Sequence, residues 1–167
     1  PYYRVFRGVK RPDLTDEEFR ERLAERFIPA TPETHAKNGL VAYLPALPLT
    51  ALEGRVRKAF PDELAIVAYR SEETYKRARA TPEGEKYAEL HWEVFDRTAS
   101  KTGPAVPYAG KIERDVPYDL IAKPVHWQKG FSSLTIFSRP KAASAEEFLA
   151  SASEYADSLK KRDGLNG

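Results

Sequence analysis

Residues 63–95, ELAIVAYRSEETYKRARATPEGEKYAELHWEVF, decide the fold because they run from a predicted strand into two predicted helices. The stretch 63–70 contains the β-branched and aromatic residues that are typical of a buried strand. Ser71, directly after it, is a suitable N-cap for a short helix over 71–80. The sequence therefore predicts a strand followed at once by helical structure.

Thr81 and Pro82 mark the start of the second helix, because threonine favours the N-cap and proline favours the first helical position. We expect this helix to extend to Gly103, where glycine ends it. The apolar stripe that would face a sheet consists of Tyr87, Leu90, Val94 and Phe95.

Two further strands are predicted nearer the N-terminus, YYRVFRGV at 2–9 and GLVAYLPAL at 39–47. In the first strand, alternation places Tyr3 and Val5 on the face opposite to Phe6. Large apolar residues therefore occur on both faces of the predicted sheet, which requires a second layer on each side.

A helix is predicted between these strands, since Thr15 and Glu18 have the spacing of a capping box. Its apolar face is formed by Phe19, Leu23 and Phe27. The prolines of IPATPE at 28–33 are expected to end this helix.

The C-terminal third contains a long connection, a strand and a helix. The segment 104–127 holds four of the thirteen prolines and is expected to be a lid or a dimer arm. FSSLTIFSR at 131–139 is predicted as the last strand. Ser144 and Glu147 then form a capping box that begins a helix over 144–161.

The predicted order is β-α-β-β-α-β, with an insertion before the last strand and an extra C-terminal helix. This order indicates an α+β, ferredoxin-like domain over residues 1–167, with both central helices on one face of an antiparallel sheet. A second copy of the chain would cover the other face, so we expect a symmetric homodimer that forms an α+β barrel.

Composition excludes several classes of protein. The chain has no cysteine, so disulfides and thiolate chemistry are excluded. Its net charge is only +2, which suits a small-molecule or acidic oligomeric substrate and does not indicate nucleic-acid binding. No apolar run is long enough to span a membrane. We expect a cytoplasmic protein, although a removed signal peptide is compatible with a chain that lacks an initial Met.

The two tryptophans each follow a histidine, at His91–Trp92 and at His126–Trp127. His91 lies within the apolar stripe of its helix, so it is either a hydrogen-bonded core residue or an acid–base group in a pocket between helix and sheet. His126 precedes the last predicted strand, and we expect both histidines to enter one pocket. The tryptophans would form its wall, and Lys129 shares a face with Trp127.

Other candidates are spread along the chain. Tyr43 and Tyr69 on predicted strands could donate a proton to a developing oxyanion, or they simply fill the core. Residues that could contact substrate are His35 in a polar connector, Tyr108 in the insertion, and Arg4 and Arg70 at the sheet. The histidine spacing does not indicate a metal site, and nucleotide-binding glycine motifs are absent from the sequence.

Four stretches carry a resemblance to the dimeric α+β-barrel superfamily, which includes EthD-like, NIPSNAP-like and antibiotic-biosynthesis-monooxygenase-like proteins. They are YYRVFRGV, TDEEFRERLAERF, HAKNGLVAYLPAL and AIVAYRSEETYKRARATPEGEKY. The resemblance covers about residues 2–139. It implies a homodimer with a pocket between the sheet and the helices of each subunit, and chemistry that needs no cofactor.

These observations predict a small enzyme that uses histidine and tyrosine for acid–base chemistry on a carbonyl- or carboxylate-bearing substrate. The reaction could be a lyase-type elimination, a decarboxylation or cyclisation, or a monooxygenation. The alternative is a ligand-binding protein without catalysis, or a haem-handling protein with a histidine as axial ligand.

Overall fold

Two compact units make up the computed structural model, which describes residues 1–48, 60–121, 135 and 137–162. The units are Pro1–Gly103 and Pro104–Gly167. The single domain expected from the sequence stays a prediction. Four strands and the helices that cover them lie in the first unit, apart from Pro104, the last residue of the fourth strand, with which the second unit begins. The ferredoxin-like succession of elements therefore comes from the first unit.

The main sheet has four strands: β1 (Tyr2–Gly8), β2 (Leu40–Ala46), β3 (Glu63–Tyr69) and β4 (Lys101–Pro104). Their order across the sheet is β2-β3-β1-β4, and both β1 and β2 run antiparallel to β3. The first three strands occupy the ranges that the sequence predicts. The mixed α+β, ferredoxin-like fold is thereby confirmed.

The strand beside β1 differs from the one expected. Most of the predicted strand at 131–139 lies outside the described residues, and β4 occupies this edge instead. The preceding helix stops at Val94 rather than at Gly103, because Phe95 turns to an extended conformation and is only 1% exposed. The segment expected as an insertion before the last strand therefore follows β4.

The helices of the first unit cover one face of the sheet. They are α1 (Asp16–Arg22), α2 (Ile28–His35), α3 (Glu72–Arg79) and α4 (Pro82–Val94), with a π-helical turn at Leu23–Phe27 between α1 and α2. Three helices begin at the predicted caps, where the side chains of Thr15, Ser71 and Thr81 accept backbone N–H groups. No described helix is both long and apolar enough to cross a lipid bilayer.

The first helix does not end at 28–33 as predicted. Pro29 has no N–H to donate, and the π-helical turn accommodates this because the Ile28 N–H bonds to the Leu23 carbonyl. The chain then continues as α2, with Pro32 inside it. This extension carries His35 into the interior.

The core lies between these helices and the sheet. Its buried members are Phe6, Leu14, Phe19, Leu23, Phe27, Ala65, Tyr87, Val94 and Phe95. The Phe95 ring packs edge-on against Phe6, Phe19 and Phe27, with centroids 5.0 to 5.7 Å apart. Gly8 makes room for this ring, because a Cβ there would lie 2.5 Å from a Phe95 carbon.

The opposite face of strands β1 to β3 is mostly apolar, and most of its side chains are half-buried. Its members are Tyr3, Val5, Arg7, Ala42, Leu44, Ala46, Leu64, Ile66 and Ala68. Arg7 is the one charged residue on this face of the three described strands. The sequence prediction of a sheet that is apolar on both sides agrees with this arrangement.

The second unit contains α5 (Ala145–Lys160) and the short parallel strands β5 (Val106–Pro107) and β6 (Tyr118–Asp119). The predicted capping box of Ser144 and Glu147 begins α5. Tyr108 is buried and its hydroxyl donates to the Ser153 carbonyl over 3.0 Å. The described part of 104–127 is attached to α5 through Tyr108. The expectation that 104–127 is a lid or a dimer arm stays a prediction.

Candidate active site

A cavity of about 120 Å³ lies between the sheet and the helices of the first unit. Its lining combines aromatic rings with polar and positively charged side chains. Its lining residues are Arg4, Phe6, Thr31, His35, Val67, Tyr69, Tyr75, Arg79, Tyr87, Ala88, His91, Trp92 and Thr102. Two histidines and two arginines thus share one cavity, and the lining contains no carboxylate.

His91 is placed by α4 and held by its own backbone. Its Nδ1 lies 3.1 Å from the carbonyl oxygen of Tyr87, one helical turn earlier. A carbonyl oxygen only accepts hydrogen bonds, so this contact requires the proton to be on Nδ1. The neutral ring then presents the lone pair of Nε2 to a ligand.

Aromatic rings surround this imidazole. The centroid distances are 4.6 Å to Phe27, 4.8 Å to Tyr87 and 5.4 Å to Phe6. Burial lowers the pKa of His91 to about 4; the hydrogen bond to Tyr87 opposes this change, and the positive charge of Arg79 adds to it. His91 is therefore a neutral imidazole near pH 7.

His35 is the second imidazole and is only 1% exposed. Its ring meets Tyr87 edge-on at 4.8 Å and Tyr69 at 6.0 Å. Its Nδ1 is buried and has no hydrogen-bond partner among the described residues. Burial, followed by the charge of Arg79, lowers the pKa of His35 to about 4. The sequence favours a surface position for His35, and the difference arises because α2 continues through its prolines.

Tyr69 forms the sheet side of the cavity and is 2% exposed. Burial is the main cause of its raised pKa, with the neighbouring Tyr75 adding to the effect and Arg79 opposing it. The phenol consequently keeps its proton at physiological pH. A protonated phenol in such a wall can donate a hydrogen bond to an oxyanion.

A second polar group lies behind the cavity wall. The Tyr43 hydroxyl donates to Glu63 Oε1 over 3.0 Å, and Glu63 is fully buried. Thr31 Oγ1 lies 2.6 Å from the Tyr87 hydroxyl, which joins α2 to α4 at the cavity. Burial raises the pKa of Glu63 to about 7. Sequence reasoning missed Glu63, because a glutamate at the start of a strand has the pattern of a solvated residue.

The arginines have different surroundings. The Arg4 guanidinium donates to Tyr2 Oη at 3.0 Å and to Thr102 Oγ1 at 3.3 Å. It also lies 4.6 Å above the ring of Tyr75, so its side chain is fixed at the wall. Arg79 lines the cavity without an ion pair to any described residue. The sequence analysis did not select Arg79, since it is one of several basic residues in ETYKRAR.

The predicted site residues are only partly brought together. His91, His35, Tyr69, Arg4 and Trp92 line the cavity. The remaining ones are distributed as follows: Tyr43 lies behind the wall, Arg70 is exposed, Tyr108 belongs to the second unit, and His126, Trp127 and Lys129 lie outside the described residues. The predicted convergence of His91 and His126 consequently stays a prediction.

Metal ligation depends on how the donor side chains are grouped. Within the described ranges, no three histidine, aspartate or glutamate side chains are grouped so that they could hold a metal ion. His35 and His91 are the imidazoles of the cavity, and its other polar groups are hydroxyls and guanidinium groups.

Comparison with known proteins bears on the fold. No protein-family model matches the sequence, and no curated protein matches it either. An EthD-family protein from Bacillus halodurans has a similar structure, with 15% identity and a TM-score of 0.50 over 65% of this chain and 100% of that chain. The two proteins share a ferredoxin-like α+β fold.

Two further solved structures are similar at lower scores. A dimeric protein of ferredoxin-like fold from Bacteroides fragilis is 13% identical, with a TM-score of 0.48 over 62% of this chain and 92% of that chain. SnoaB, a cofactor-independent oxygenase from Streptomyces nogalater, is 17% identical, with a TM-score of 0.43 over 65% and 93%. At these identities the likeness concerns the fold, and the resemblance predicted from the sequence is confirmed at that level.

Proposed function

We propose that the first unit is a small acid–base enzyme that transfers a proton at a carbon next to a carbonyl or carboxylate. The observation that carries this proposal is the orientation of His91. Its Nδ1 bonds to the Tyr87 carbonyl, so Nε2 is the ring nitrogen left to act on a ligand, and His91 is one of the residues that line the cavity. A fixed tautomer at the wall of a buried cavity is the arrangement a proton acceptor needs.

The proton step uses two of the lining residues. His91 Nε2 takes the proton from the carbon, and the electron pair of that bond forms an enolate. The Tyr69 hydroxyl donates a hydrogen bond to the enolate oxygen, since burial keeps this phenol protonated.

Several reaction classes share this step. In a lyase-type elimination, the enolate expels a leaving group at the next carbon, whereas in a cyclisation it attacks a second carbonyl. A cofactor-independent monooxygenation would begin in the same way and would then require dioxygen as oxidant. Elimination and cyclisation need nothing beyond the substrate and the side chains described, so we place them first.

Binding without turnover is the second candidate function. The low pKa of His91 favours it, because an imidazole with a pKa of about 4 is a weak base in the empty cavity. Haem is a poor fit to the cavity, because about 120 Å³ is the scale of one small ring. We therefore place a small molecule in the cavity under either function.

We also propose that the protein works as a homodimer. The apolar face of β1 to β3 that includes Val5, Leu44 and Ile66 is half-buried, and Arg7 is its one charged side chain. A second copy that presents the same face would bury this surface.

The experiment follows the proton itself. Exchange of the α-protons of phenylpyruvate and acetophenone for deuterium in D₂O is measured by NMR, with and without the protein. We expect exchange above the buffer rate, lost in His91→Gln and reduced in Tyr69→Phe, with Lys86→Gln on the exposed side of α4 as the control. Circular dichroism would verify that each variant is folded.

Two results would distinguish the candidate functions. Exchange at the buffer rate together with ligand binding in the cavity would favour binding without turnover. Full exchange in a folded His91→Gln variant would rule out His91 as the proton acceptor.

A further inference from the structure

We propose that Arg79 is the anion anchor of this cavity and that the ligand is a planar carboxylate with a single ring. This inference names the substrate class of the acid–base site. It rests on the proposed function only in treating the bound carboxylate as a substrate. The sequence analysis assigns this role to Arg4 and Arg70. The structure points instead to the arginine at the end of α3.

Among the described residues, Arg79 has no counter-ion, unlike its neighbours on the same helix. Lys76 pairs with Glu72 at 3.0 Å, and Arg77 lies 4.0 Å from Glu73. Among the described residues, no carboxylate pairs with Arg79, and its side chain is half-buried at the cavity. A guanidinium group that loses water without gaining an anion destabilises the fold, and an entering carboxylate would remove that cost.

The position of Arg79 is fixed by the turn between α3 and α4. The preceding residue, Ala78, is fully buried, and its carbonyl accepts a hydrogen bond from the Thr81 hydroxyl at 2.9 Å. Gly84 of α4 approaches the same carbonyl so closely that a Cβ at this position would lie 2.1 Å from the oxygen. The backbone that carries Arg79 therefore has little freedom, which suits a preorganised anion site.

The charge of Arg79 changes the pKa of the side chains that would act on the ligand. It contributes to the lowered pKa of both His35 and His91, and it opposes the raised pKa of Tyr69 and Tyr87. No lining residue carries a negative charge. The empty cavity is thus positive, and a bound carboxylate would cancel this charge and make His91 a stronger base.

Arg4 is less suited to the same role. Its guanidinium already donates to Tyr2 and Thr102 and rests on the ring of Tyr75. Arg70 is exposed and does not line the cavity. Arg79 consequently offers the free fork of N–H donors that pairs with both oxygens of a carboxylate.

The shape of the cavity limits the rest of the ligand. Its volume of about 120 Å³ is close to that of a cavity known to hold one benzene ring, about 150 Å³. Its walls are mostly aromatic: Phe6, Tyr69, Tyr75, Tyr87 and Trp92. Aromatic walls favour a flat ring through edge-to-face and stacked contacts. A one-ring aromatic carboxylate satisfies both the volume and the charge.

The test uses benzoate as the probe, with benzamide as its uncharged counterpart and acetate as its ringless one. Binding to the whole protein is measured by calorimetry and by ligand-observed NMR. We expect benzoate to bind more tightly than either counterpart, and to bind about 10- to 100-fold more weakly to Arg79→Gln. Arg77→Gln, on the exposed side of the same helix, should bind like the wild type.

Each outcome decides the matter. Equal binding of benzoate by a folded Arg79→Gln variant, equal binding of benzamide and benzoate, or no binding of benzoate would overturn the assignment. Arg79→Lys provides a second variant that keeps the charge and should lose part of the affinity. Deuterium exchange of acetophenone, which has no carboxylate, separates the two proposals: exchange in wild type without benzoate binding leaves the proposed function intact and removes this inference.

Discussion

Glu63 is a fully buried carboxyl group whose partner among the described side chains is the Tyr43 hydroxyl. Its Oε2 is buried and has no hydrogen-bond partner in the described structure. Burial raises the pKa of Glu63 to about 7 from 4.5, and the hydrogen bond from Tyr43 opposes that rise. The folded protein therefore holds this proton more tightly than the unfolded chain, and stability falls as pH increases from about 4.5 to 7.

This linkage predicts the behaviour of Glu63→Gln. Between about pH 4.5 and 7, the wild type should lose roughly 3 kcal/mol of unfolding free energy relative to the variant, at about 1.4 kcal/mol for each pH unit. Tyr43→Phe should enlarge this loss of unfolding free energy, because the Tyr43 phenol stabilises the Glu63 carboxylate and its removal would raise the pKa of Glu63 further. Urea denaturation at pH 5 and pH 8 measures the difference. A constant gap between wild type and Glu63→Gln would show that Glu63 is ionised throughout.

At the residue scale, the sequence identifies His91 but misses its charged surroundings. His91 lies in the apolar stripe of α4, so its direction follows from helical spacing. Arg79 and Glu63 have no such signal, because a basic residue on a short helix and a glutamate at a strand start are usually solvated. Their burial depends on tertiary packing. Trp92, expected as a wall residue, does line the cavity.

At the scale of elements, the contact between α3 and α4 positions Arg79. It depends on Gly84, because a side chain there would meet the backbone of Ala78. Gly84→Ala should destabilise the protein by about 1–3 kcal/mol, as overpacking generally does, and should weaken benzoate binding by moving Arg79. Thermal unfolding and calorimetry measure both effects. The control is Glu85→Ala at an exposed neighbouring position, which should change neither property. Wild-type stability and benzoate binding in Gly84→Ala would contradict the account.

The start of each of α1, α3, α4 and α5 follows from local capping residues, so the sequence predicts it correctly. The continuation of the first helix is not predictable in this way. A π-helical turn just before Pro29 lets the helical chain continue past this proline. The burial of Phe27 and Thr31 stabilises the helix that follows. Tertiary packing thus outweighs the local effect of proline, and His35 becomes buried as a consequence.

For the whole molecule, the half-buried apolar face of β1 to β3 predicts a dimer in solution. Ile66→Lys places a charge at the centre of that face and should shift the equilibrium toward monomer, whereas Glu21→Lys on the exposed helical surface should not. Sedimentation velocity at micromolar concentration distinguishes the two species, and circular dichroism verifies folding. A wild-type protein that sediments as a monomer would contradict the prediction without reference to either variant.

The central claim is that the cavity holds a neutral imidazole whose Nε2 is free for a ligand. The most direct measurement is long-range ¹H–¹⁵N NMR of the three histidines from pH 4 to 8, with His35→Gln and His91→Gln for assignment. The structure predicts that His91 carries its proton on Nδ1 and becomes charged only as the pH falls to about 4. A proton on Nε2, or an imidazolium already present at pH 6.5, would contradict the claim.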